Sequence, residues 1–235
     1  MTITADDYRA LARSSPWLWR SVRLRWDGGP VVTMARPARV VVEDADGTTR
    51  VTRRPDQGIA VFGWDHGGNR ASDAPEFTFV SELEPRRRAD GLVTERPDDA
   101  FAIQIHEPMV AGYFSVAAVD PVELADDVDL TDVRVETLRG RETWVATCRA
   151  GEEYSPRCGC CPLIMDRRGA LLEWGPQDGA TIDCHESVEI WLDRATGIMT
   201  RWVPTPEPGS PAEEPIDVEI EWVDGDVDAV WDAAG

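Results

Sequence analysis

The chain has 235 residues, 42% of them hydrophobic, with 44 acidic and 24 basic side chains and a formal charge of −20 at pH 7. Such a length supports one domain, 1–235, with a sizeable core. The acidity argues against nucleic acid and anionic membrane as partners, and no run approaches the roughly 18 apolar residues of a membrane span.

The start, "MTITADDYRALARSSPW", carries acidic residues and no apolar segment of the secretory kind, so the expected location is cytoplasmic. Residues 5–14 read as a helix with Tyr8, Leu11 and Ala12 on one face, ended by Pro16. "LWRSVRLRW" alternates and reads as a strand stopped by "DGG". "ARVVVEDADGTTRVTRR" is two strands around a turn at Asp46-Gly47. "GIAVFGWDHGG" and "EFTFVSELEP" read as further short strands, while 65–75 and 85–99 are loop by composition.

The clearest helix is "EPMVAGYFSVAAV", where Met109, Tyr113, Val116 and Ala117 form an apolar stripe. "DPVELAD" predicts a second one, with Asp120 as cap, Pro121 in the first turn and Glu123 completing a capping box. The chain then returns to strands. One hairpin turns at Arg139-Gly140, another near 195–197, and a last strand follows the Pro-rich loop "TPEPGSPAEEP". Short connections between antiparallel strands indicate an α+β domain with one continuous sheet.

The hairpin "VEIWLDRATGIMTRWV", with an N-terminal helix and a run of antiparallel strands, resembles the LolA/LolB-like lipoprotein carriers. That resemblance implies a curved antiparallel sheet, a half-barrel, with helices packed on its concave side over an apolar cavity for acyl chains. "AAVDPVELAD" and "YSPRCGCCPLI" also resemble an uncharacterised actinobacterial protein family.

Three of five cysteines fall within "CGCC". Cys148 ends one strand and Cys184 begins a later one. Antiparallel pairing of those strands is expected to bring the two together, with 149–183 as an excursion above them carrying Cys158, Cys160 and Cys161. Four readings stand. In one, two loop thiolates join Cys148 and Cys184 as a four-sulfur Zn²⁺ site, since Cys158 and Cys161 have knuckle spacing and Gly159 eases the turn. Disulfides such as Cys148–Cys184 conflict with a reducing location and an odd count. A redox pair lacks its usual strand–helix setting. Simple packing of small buried thiols is the fourth.

Asp65-His66, His106-Glu107 and the stretch 183–186 offer acid/base pairs, but a composition this acidic generates these by chance. No phosphate loop, nucleophile elbow or zinc-protease helix is present. Ten tryptophans suggest either a filled core or an apolar cavity walled by Trp17, Tyr113, Phe114, Trp191 and Trp202. The expected functions are binding of an apolar small molecule or acyl chain, at about 0.8 kcal/mol per buried methylene, or protein interaction through a cysteine- or metal-stapled surface.

Overall fold

Alternating apolar side chains build most of the sheet, and glycine turns at Gly47, Gly140 and Gly197 set three of its hairpins. The computed structural model describes residues 2–37, 39–52, 80–97 and 113–234. The strands are β1 (Ser21–Trp26), β2 (Val31–Ala35), β3 (Arg39–Glu43), β4 (Thr49–Thr52), β5 (Arg86–Arg87), β6 (Val93–Glu95), β7 (Val128–Leu138), β8 (Arg141–Ala150), β9 (His185–Asp193), β10 (Met199–Pro206) and β11 (Ile216–Val223). Nine of them form one open antiparallel sheet in the order β4-β3-β2-β1-β11-β10-β9-β8-β7, while β5 and β6 pair separately. The last strand, β11, sits in the middle of the sheet and joins the N-terminal meander to the C-terminal one.

Helix α1 (Ala5–Ser14) forms as expected. Thr4 caps it, its hydroxyl accepting from the Asp7 amide while the Asp7 carboxylate accepts from the Thr4 amide. Its buried face, Tyr8 and Leu11, packs on the sheet face that carries Trp144, Ala146 and Cys148 of β8 and Val188, Ile190 and Leu192 of β9. The Tyr8 hydroxyl donates to the Ile190 carbonyl at 3.1 Å. The helix α2 (Tyr113–Val119) contacts β10 and contributes buried Val116, Ala117 and Ala118 to the same core. Residues 108–112 of the expected helix, with Met109, lie outside the described residues.

The expectation that the helices share one side of the sheet is corrected. Helix α4 (Val227–Ala234) lies against β2, β3 and β4, beside Arg23, Val41 and Glu43. Those residues alternate with the core-facing Val22, Leu24, Val40 and Val42, so α4 covers the opposite face.

Most other departures trace to burial and to partners distant in sequence. Strand β2 has no counterpart in the sequence reading: Val31 to Met34 are all buried, so no polar alternation marks the strand. The region expected as loop at 85–99 holds the β5–β6 hairpin, where the Val93 amide donates to Ser14 Oγ at 2.8 Å. Within the strand expected over 76–85, Val80–Glu82 is a single 3₁₀ turn, and 76–79 lie outside the described residues, as do 58–75. "DPVELAD" forms only a 3₁₀ turn over Val122–Leu124 without a side-chain cap. Asp120 and Glu123 are both buried and are recruited by distant partners instead. Finally, 149–183 contains a helix the sequence reading missed, α3 (Arg167–Asp178). Asp166 caps it, accepting from the Gly169 amide at 3.0 Å, and Gly175 with φ of 80° followed by Pro176 breaks its pattern.

Candidate metal centre

The segment around the cysteines is pinned on both flanks. Glu123 Oε1 accepts from the Tyr154 hydroxyl at 2.9 Å and from the Leu163 amide at 2.6 Å. Arg157, its side chain fully buried, bonds both the Asp120 carboxylate and the Asp120 carbonyl at 3.3 Å. Arg96 grips the same carboxylate, with Nη1 at 3.0 Å from Oδ2. Burial by itself raises the Asp120 carboxyl, but Arg96 and Arg157 outweigh it and hold the group below its ordinary value. Beyond the cysteines, Leu163 and Ile164 are buried, and the Trp202 indole donates to the Leu163 carbonyl at 3.0 Å. Arg168 ties α3 back to the Gly151 carbonyl at 3.0 Å.

Between those anchors, residues 158–161 project as a tight turn at Gly159-Cys160. The Sγ atoms of Cys158, Cys160 and Cys161 converge, with separations of 3.2, 3.1 and 3.7 Å. They form a group able to hold a metal ion. A triangle with those sides has a circumradius of about 1.9 Å, so an ion about 2.3 Å from each sulfur would sit about 1.2 Å above their plane. The Cys160 and Cys161 thiols hold their protons firmly. Contact with the Cys158 sulfur, then burial, raises Cys160, while burial, then the Cys158 sulfur, raises Cys161 well above the usual thiol range. An ion must therefore expel protons to bind.

Cys148 and Cys184 do not join this group. Strands β8 and β9 place Cys148 opposite Val188, so Cys184 falls four residues past the pairing position. Cys148 faces inward toward Tyr8, and burial pushes its thiol up to about 12. The Cys184 thiol turns to the Ile182 carbonyl at 3.5 Å. All five cysteines are free thiols, so the expected Cys148–Cys184 pairing, by disulfide or by metal, gives way to two separate buried packing roles.

The aromatic set divides as well. Phe114 and Trp202 meet edge to face at 5.6 Å. Trp202 is buried, and the His185 ring also meets it edge to face, at 5.2 Å. Trp191 pairs with Arg201 on the opposite sheet face, where Glu189 Oε1 accepts from its indole at 2.8 Å. Trp17 donates to the Leu83 carbonyl at 2.9 Å and lies under Arg96. The Tyr113 side chain lies outside the described residues. Two clefts among the described residues, of about 260 and 320 Å³, are lined by Arg13, Arg96 and neighbours or by Arg23 and α4, and by none of these five aromatics.

Of the acid/base pairs, His66 and His106 lie outside the described residues. Regular strand alternation along β9 would put His185 on the face of Glu189 and Trp191. A register irregularity at Thr205/Pro206 turns it toward Trp202 instead. Its Nδ1 accepts from the Met165 amide at 3.3 Å, which leaves Nε2 to donate to Glu213 at 3.0 Å. Among the described residues no helix is long and apolar enough to cross a membrane.

One carboxylate stands beside the knuckle without any sequence motif to announce it. Glu173, on α3, occupies the space that a side chain at Gly159 would need: its Oε2 lies 2.3 Å from where a Cβ would be. Fourteen residues separate the two in sequence, so only the fold of α3 back onto the turn reveals the pair.

Neither protein-family models nor curated proteins match the chain.

Proposed function

We propose that the protein is an interaction module in which Cys158, Cys160 and Cys161 hold a Zn²⁺ ion that staples the 149–183 segment into one surface. The convergence of three sulfurs on a turn pinned at both ends carries this reading. Thiolates are favoured ligands of zinc, and the ion would replace proton-mediated sulfur contacts with bonds that fix the turn. The surface beside it supports the interaction role. Helix α3 presents Leu172, 79% exposed, and Leu171, 37% exposed, among the few large apolar side chains left in solvent in the described residues.

The apolar-carrier reading draws less support. Phe114 and Trp202 pack ring against ring, and Trp191 faces away from them.

Elemental analysis of protein purified under reducing conditions tests the proposal, together with hydrogen exchange before and after a strong chelator. We expect a single Zn²⁺ per chain and, on chelation, loss of protection in 149–183 while β8 to β10 keep theirs. Metal-free protein whose exchange ignores both added Zn²⁺ and chelator would overturn it.

A further inference from the structure

We infer that Glu173 is the fourth ligand of the ion, closing its coordination sphere. The inference rests on the proposed metal centre and deepens it by assigning the position opposite the three sulfurs.

Three observations converge. Three thiolates leave a tetrahedral ion one open position, and a carboxylate is an accepted donor for zinc. The Glu173 carboxylate is the acidic group packed onto the turn, seated where Gly159 lacks a Cβ. It is exposed and makes no hydrogen bond or ion pair among the described residues, which leaves its oxygens free to ligate. Once the thiols ionise, a carboxylate beside them is repelled, and an ion between them reverses the sign of that interaction.

Gly159 then has a purpose beyond turn flexibility: any side chain there would displace the carboxylate. Glu173 lies outside the 4.8 Å sphere shared by the three sulfurs, so ligation draws it inward by rotation about its own side-chain bonds. That movement would couple ion binding to the seating of α3. The functional consequence follows from the count of ligands. Three protein ligands and a water make a catalytic zinc site; four protein ligands make a structural one.

Co²⁺ titration followed by absorption tests this on the full chain, with Zn²⁺ competition giving affinity. In the wild type we expect thiolate-to-cobalt charge transfer and tetrahedral d–d bands. Glu173→Gln should keep the charge-transfer band, shift the d–d bands and lose at least the roughly 10–100-fold in affinity that removing an outer-shell partner costs. Gly159→Ala should lose affinity too, since its Cβ pushes the carboxylate tip off the turn from which it reaches the ion, without meeting backbone. Glu173→Cys should restore affinity and move the bands toward those of a four-sulfur site. Wild-type spectra and affinity retained in both Glu173→Gln and Gly159→Ala would overturn the assignment of Glu173 and leave the three-cysteine site standing. No charge-transfer band in the wild type would overturn both.

Discussion

Replacing Asp120 by Asn is the most informative single perturbation of the fold. The change is nearly isosteric, so it opens no cavity and isolates charge. Asp120 is 2% exposed, and its carboxylate is shared by Arg96 and Arg157, whose side chains are 7% and 0% exposed. Taking the negative charge away leaves two buried guanidinium groups facing a neutral amide. Breaking such a buried pair costs about 3–5 kcal/mol. For a protein of this size that corresponds to about 6–20 °C in Tm. Urea unfolding at pH 7 should show the lower midpoint with an unchanged slope. Glu186→Gln is the matched control: its pair with Arg149, at 3.6 Å and about half exposed on both sides, should cost less than about 1 kcal/mol. The pH dependence follows from the direction of the shift. Asp120 is held below its ordinary 3.8, so its contribution is complete above that value and is lost as pH falls through the folded-state value. The gap between variant and wild type should therefore narrow in acid. A variant within 1 kcal/mol of wild type at pH 7, or a gap that does not narrow, would refute the reasoning.

Cys148 supplies an alkaline counterpart. Its thiol is raised by burial from 9.0 to about 12, so its contribution is intact below pH 9 and lost as pH rises toward 12; Cys148→Ala should flatten that limb of the urea-midpoint profile. Ellman's reagent on the native, ion-free protein should modify exposed Cys160 and leave Cys148 and Cys184 untouched until unfolding, as residue-resolved mass spectrometry would show. A fluorescent fatty acid should give no saturable tryptophan quenching, because Phe114, Trp202 and His185 fill one another's contact surface; saturable binding abolished by Trp202→Ala would reinstate the apolar carrier.

Elements whose signal is local were readable from the residues alone. Helix α1 carried its own apolar face and Pro16, and the turns at Gly47, Gly140 and Gly197 marked hairpins because each holds a glycine at positive φ. Alternation likewise fixed which side chains of β8 and β9 enter the core. What needed the tertiary structure was every feature set by partners distant in sequence. Strand β2 hid because both its faces are covered, one of them by α4 from the far end of the chain. Asp120 and Glu123 have the spacing of a capping box, yet burial beside Arg96, Arg157 and Tyr154 offers each carboxylate stronger charge-assisted or buried bonds than an exposed helix end would. The cysteines show the same division. The spacing of Cys158, Cys160 and Cys161 is enough for one turn to gather their sulfurs, whereas the fate of Cys148 and Cys184 depended on a strand register that pairs Cys148 with Val188. Glu173 had no signal at all, since its meeting with Gly159 exists only once Asp166 starts α3 and Arg168 ties that helix back over the turn.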